Sequence, residues 1–349
     1  MGRTGLLLGA FLLIVVAAGC GARGGGVAEG GAEYTIRFSH VQTEDTPKGL
    51  AAARFKEEVE EGSGGRIEVE IFPNSQLYGD EDELQAQQSG SVEMLAPAPA
   101  KLTTIAPQLQ VLDLPFIFES YEEIPEVVTP ESSVGRAIYE NENLEERNIR
   151  VLGLWDLGLK QFASNQEIQS LEDLEDLEGQ TLRIQSGSDV LRTQMETWGA
   201  EPTPMSFSEV YNALQQGVID GLENTYSSFY SQNMHTVQDY ITVSNHGYIG
   251  YVLTVNEEFH EGLPGDLQQA VQEAADEASA YNREIAEQEN REARRAIEEA
   301  GTTEFIEMSE EDRQALKEEV VPRVYEEHVD VIGREIVDEL LAREEQAAR

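Results

Sequence analysis

Arg66-Ile67-Glu68-Val69-Glu70-Ile71 alternates charged and apolar residues, the pattern of a strand with one buried face. Upstream of it, Ala52, Phe55 and Val59 recur at helical spacing. Downstream, Asp80 stands three residues before Glu83, a capping-box-like start to a helix that ends near Ser89-Gly90. Residues 151–155 form an apolar run short enough for a buried strand. Arg183-Ile184 follows a turn at Gly179, and residues 189–198 read as a helix stopped by Gly199. This alternation, which begins at Tyr34, predicts an α/β fold with mostly parallel sheets flanked by helices.

The C-terminal third reads differently. Residues 266–300 contain neither proline nor glycine and are rich in Ala, Glu and Gln. They predict a helix of about 50 Å at 1.5 Å per residue. No heptad is sustained there, so a helix that spans two α/β lobes fits its length best. A short strand at 302–306 and a further helix from Ser309 complete the pattern. The chain has 349 residues, more than the roughly 100–200 of one average domain.

The formal net charge of -43 repels phosphate backbones and argues against a nucleic-acid partner. A hydrophobic content of 40% separates the chain from disordered acidic proteins. Lysine is scarce: five, at 48, 56, 101, 160 and 317, against nineteen arginines. High acidity with little lysine points to a halophilic protein, because concentrated salt shortens the Debye length to about 3 Å at 1 M. A mesophilic acidic protein is the alternative.

The N-terminus carries a targeting segment. Arg3 is followed by the apolar stretch 6–18, thirteen residues where a bilayer span needs roughly 20. It ends in Ala17-Ala18-Gly19-Cys20, small residues followed by the only cysteine. The expectation is a signal peptide at 1–19 and lipidation of Cys20, with the Gly-rich stretch 20–32 as a flexible tether. An ordinary signal peptide with an incidental cysteine is the alternative. A single cysteine excludes an intrachain disulfide and a cysteine-built metal cluster.

No metal, nucleotide or nucleophile signature is present. The histidines (40, 235, 246, 260, 328) never stand at i, i+4 spacing, and neither a Walker loop nor a G-x-S-x-G elbow occurs. The expectation is no cofactor, no metal and no enzymatic activity. Placement of the cations is more telling. Lys160 sits just after the apolar run, and Arg183 stands between Leu182 and Ile184. A guanidinium there can hold a carboxylate in a two-bond fork, each charge-assisted bond worth roughly 1.5–3 kcal/mol. The competing reading for both cations is an internal salt bridge with one of the 67 acids.

The segment Phe207-Ser208-Glu209-Val210-Tyr211-Asn212-Ala213-Leu214-Gln215-Gln216-Gly217, with Asp220-Gly221-Leu222-Glu223-Asn224 after it, resembles the signature of DctP-type substrate-binding proteins. These serve the tripartite ATP-independent periplasmic (TRAP) transporters. Phe38-Ser39-His40-Val41, Thr46-Pro47-Lys48-Gly49, Phe72-Pro73-Asn74-Ser75-Gln76-Leu77, Leu114-Pro115-Phe116-Ile117-Phe118 and Ser244-Asn245-His246-Gly247-Tyr248 agree, in the family's order. The resemblance spans residues 34–339.

It implies a monomeric two-lobed periplasmic-binding-protein-like fold, with lobe I at 33–157 plus 250–289 and lobe II at 158–249 plus 290–349. The function implied is extracytoplasmic capture of a small organic acid and its delivery to the small and large membrane permease subunits. The ligand-carboxylate fork falls on Arg183, an orienting contact on Asn224 and the packing aromatic on Phe207. Lysine at 160, the T-P-K-G stretch and the region from Met94 to Lys101 resemble the subgroup that binds C4-dicarboxylates such as succinate, fumarate or malate. Lys48, Lys101 and Lys160 border the implied cleft, and His40 either lines it or ends a strand. A sensor partner of a membrane kinase, and a purely structural surface lipoprotein, are the other classes consistent with the sequence.

Overall fold

The computed structural model describes residues 31–170 and 179–347. The signal segment, Cys20 and the tether up to residue 30 lie outside the described residues.

Among the described residues, nine strands form one sheet: β1 (Tyr34–Ser39), β2 (Ile67–Phe72), β3 (Met94–Leu95), β4 (Ile149–Ser164), β5 (Thr181–Ile184), β6 (Glu201–Pro204), β7 (Gly221–Asn224), β8 (Tyr240–Asn256) and β9 (Glu304–Glu307). The order is β2-β1-β3-β8-β4-β7-β5-β6, with β9 paired to β8. Two parallel trios, β2-β1-β3 and β7-β5-β6, flank the long antiparallel pair β4 and β8. The α/β expectation is met with one refinement: the sheets of the two halves are fused into one by strands that run through both.

β4 is three times longer than the 151–155 run suggested. Its register shifts at three points, one of them between Asp156 and Gly158. Gly158 has φ +142°, and a Cβ there would collide with Tyr121 Oη and Asn290 Nδ2. Such a bulge bends a strand and sharpens its twist.

The flanking helices used below are α1 (Pro47–Gly62), α2 (Glu83–Gln88), α3 (Pro99–Leu102), α4 (Asp189–Thr197) and α5 (Gly265–Ala300). α1 begins with Pro47 in its first turn and Thr46 as N-cap, whose side chain accepts from Gly49 N–H. α4 is capped likewise by Ser188, which accepts from Leu191 N–H. α5 is the long helix read from sequence, one residue longer at its start and closed by Gly301 in the left-handed conformation. Leu267, Val271, Ala274 and Ala278 pack with α1 and β1 in one apolar core, while Ala293 and Ile297 pack with β7 and Phe207 in another. Between them Asn282 bonds both backbone groups of Asp156, and Asn290 Nδ2 donates to Leu157 O. The helix is therefore tied to β4 at its bulge.

Candidate ligand-binding site

The parallel strands deliver their carboxyl ends to one place. β1 leads into Val41 and Gln42, β5 ends with Arg183 and Ile184 ahead of Gln185, and β7 ends at Asn224. Val41, Gln42, Arg183, Gln185 and Asn224, with Asp80, Lys101, Phe207 and Tyr251, line a small cavity. Ligands of open α/β sheets bind at such strand ends.

Arg183 is 3% exposed. Its Nε and Nη2 donate to Met205 O at 3.1 and 2.8 Å. That carbonyl fixes one edge of the guanidinium and leaves the end with Nη1 available. Among the described residues, no carboxylate lies within 4.0 Å of it. Burial lowers its pKa, and Asp80 and Glu223 oppose that at longer range. An unpaired buried cation is strongly disfavoured unless an anion is to be bound there. The internal salt-bridge reading therefore does not describe Arg183.

It does describe Lys160. Its Nζ bonds Glu223 Oε1 at 2.8 Å, with both side chains almost wholly buried. Glu223 Oε2 also pairs with His246 Nε2 at 3.1 Å, and His246 stacks on Phe162. Burial pushes the Glu223 carboxyl up, but Lys160 and His246 outweigh it and hold the group down at about 2. Lys160 is not among the residues that line the cavity.

The remaining sequence candidates divide between the cavity and its surroundings. Phe207 packs near the Arg183 guanidinium, 6.0 Å from ring centroid to Cζ. Asn224 Oδ1 accepts from Thr225 N–H at 2.8 Å, so its two N–H donors remain for a ligand. Lys101 lines the cavity, its Nζ 3.6 Å from Asp80 Oδ1. Burial lowers its pKa, and Asp80 opposes the shift. Lys48 is fully buried behind the wall, its Nζ 3.6 Å from the centroid of the Tyr251 ring. His40 is also fully buried at the end of β1, and burial with Lys48 beside it lowers its pKa to about 3. It is a neutral strand-end histidine and not a cavity-lining group.

The polar lining residues Gln42, Asp80, Gln185 and Tyr251 escaped the sequence reading as site candidates. Asp80 does not cap α2, whose N-cap is Asp82. Its Oδ2 instead accepts from Phe207 N–H at 2.7 Å, and Glu81 accepts from Ser206 Oγ at 3.2 Å. These bonds join segments more than a hundred residues apart beside the cavity that Asp80 and Phe207 line. Gln42 Nε2 donates to Tyr251 Oη at 2.8 Å.

A larger groove runs past Phe116, Arg313, Lys317 and Arg343, but its cations are paired, Arg313 and Lys317 with Glu119 and Arg343 with Glu126. The smaller cavity thus holds the buried unpaired arginine, the aromatic and the amide together.

Residues 38–330 match the family described as bacterial extracellular solute-binding protein, family 7, or DctP. The C4-dicarboxylate-binding periplasmic protein DctP of Rhodobacter capsulatus is 44% identical over 303 residues, which cover 86% of this chain and 88% of that one. The C4-dicarboxylate-binding protein DctB of Bacillus subtilis is 37% identical, over 88% and 86% of the two chains. A crystal structure of a TRAP periplasmic solute-binding protein from Shewanella oneidensis, with bound succinate, superposes with a TM-score of 0.83. It is 35% identical and covers 88% of this chain and 98% of its own. With strand-end cavity, family match and structural likeness in agreement, the chain belongs to the DctP family, the extracytoplasmic solute-binding proteins of TRAP transporters.

Proposed function

We propose that this protein captures a C4-dicarboxylate, succinate, fumarate or malate, and delivers it to the small and large TRAP membrane subunits. One observation carries the reading: Arg183 is buried, oriented by Met205 and without a carboxylate partner among the described residues. One ligand carboxylate takes the free end of its fork, Phe207 packs on the carbon chain and Asn224 orients the ligand. Lys101 supplies positive charge at the same cavity. The cavity is small, which suits a short acid rather than a bulky one. The dicarboxylate names of the Rhodobacter and Bacillus relatives and the succinate in the Shewanella structure support this class. They lend no support to the sensor alternative.

A thermal-shift screen of organic acids over a salt series tests the reading. At 1,000 times its dissociation constant, a ligand adds about 4.1 kcal/mol of stability. Succinate, fumarate or malate should raise Tm by several degrees, and sugar acids should not. A flat response to all three C4 acids would sink the proposal. The ligand-free Tm should climb from low to molar salt, since the charge of -43 repels itself when unscreened. An unchanged Tm would refute the halophilic reading.

We further propose that Cys20 is the lipidated first residue of the mature protein, tethered by the glycine-rich stretch behind it. Mass spectrometry of the native protein should find an acylated cysteine, and cleavage elsewhere would exclude it. The two lobes, 33–157 plus 250–289 and 158–249 plus 290–349, are proposed to close on the ligand. The bonds of Asp80 and Glu81 to Phe207 and Ser206 would latch the closed form. Identical scattering curves with and without succinate would argue for a rigid module.

A further inference from the structure

Behind the cavity wall lies a pair of ionisable groups that direct ligand contact does not explain. Lys48, in the first turn of α1, is fully buried, and Glu83, which opens α2, is 1% exposed. Neither Lys48 Nζ nor either carboxylate oxygen of Glu83 has a hydrogen-bond partner among the described residues. The Lys48 ammonium position lies against the face of Tyr251, whose ring lines the cavity. The charged or titratable groups that face the pair are His40 at the end of β1, Asp80 and Asp82 ahead of α2, Lys101 on α3 and Tyr251 on β8.

Burial without partners works against the charged form at both positions. It pulls the Lys48 amine down to about 7, opposed by Glu83 and Asp80. It pushes the Glu83 carboxyl up to about 8, helped by Asp80 and opposed by Lys48 and Lys101. Both shifts run toward neutral pH, away from the ranges in which exposed lysine and glutamate exchange protons.

The charge balance of the cavity gives those shifts a use. Arg183 and Lys101 face inward against Asp80, a net of one positive charge for a ligand that carries two negative charges. A further positive charge just behind Tyr251 would act through a region of low dielectric, where Coulomb attraction is strong. The Tyr251 face offers the ammonium a favourable seat.

We propose that Lys48 and Glu83 form a proton-exchanging pair which takes up a proton as a dianion enters the cavity, and so favours dianions over monoanions. The proton comes from solvent and comes to rest on Lys48 Nζ or on the Glu83 carboxylate; no other bond changes. The inference rests on the reading of this cavity as a C4-dicarboxylate site.

Calorimetric titration of the full chain with succinate at pH 8 in molar salt tests it, run in phosphate and in Tris, whose ionisation enthalpies differ widely. The heats should differ in the sense of proton uptake. Affinity should fall as pH rises from 7 to 9, by at most about tenfold per unit, the limit for one proton. The Lys48→Met/Glu83→Gln double variant, with folding checked by circular dichroism, should give the same heat in both buffers. Should it fail to fold, Glu83→Gln alone must reduce the uptake. Equal heats for the wild type, or undiminished uptake in a folded variant, overturn the inference and leave the dicarboxylate reading standing. No binding of any C4-dicarboxylate overturns both.

Discussion

Arg183→Lys binds succinate nearly as poorly as Arg183→Ala, both about 10²–10³-fold more weakly than the wild type. The reason is geometric. Met205 O already occupies Nε and one hydrogen of Nη2, and the remaining end of the guanidinium must hold the ligand carboxylate. A lysine has one nitrogen and no planar fork, so it cannot serve Met205 and the ligand in the same way. Calorimetric affinities for succinate, fumarate and malate, with circular dichroism as a folding check, decide the matter. Wild-type affinity in Arg183→Lys would show that a point charge suffices and that the fork is not used.

Removal of the other buried cation should register in stability instead. Lys160→Met strands the Glu223 carboxylate in a site where both partners are almost fully buried. Breaking one side of such a pair costs about 3–5 kcal/mol. The denaturant midpoint should fall accordingly, and Lys160→Met/Glu223→Gln should recover much of the loss, since the stranded charge is then gone. A double variant no more stable than Lys160→Met would contradict the pairing. The pH dependence has a definite sign. The folded Glu223 carboxyl is held at about 2, below its ordinary 4.5, so its stabilisation is present above 4.5 and is lost as pH falls from there through 2.

Much of this architecture was legible in the sequence where local pattern and tertiary burial agree. The 66–71 alternation became β2, and the proline- and glycine-free stretch became α5 to within a residue at its start. Arg183, Phe207, Asn224 and Lys101 do meet in one cavity. β4 was only partly legible, because Gly153, Gly158, Asp156 and Lys160 interrupt its apolar run. Their polar groups are satisfied by distant partners: Asn282, Arg283 and Tyr248 for Asp156, Glu223 for Lys160. Asp80 was illegible for a different reason. It is one of 67 acids, and its spacing to Glu83 imitates a cap, whereas its carboxylate reaches Phe207 N–H. Tyr251 stands in the long buried strand β8, where a cavity-lining aromatic looks like any core residue. In the sequence Lys48 and Lys160 look alike as cations that border the implied cleft, and only the placement of Glu223 and Tyr251 separates them.

A crystal structure of the protein grown with succinate tests the central claim most directly. The account predicts succinate in the cavity between Phe207, Asn224 and Lys101, with one carboxylate held by two bonds from Arg183. Succinate bound elsewhere, or in that cavity with neither carboxylate on Arg183, would contradict it.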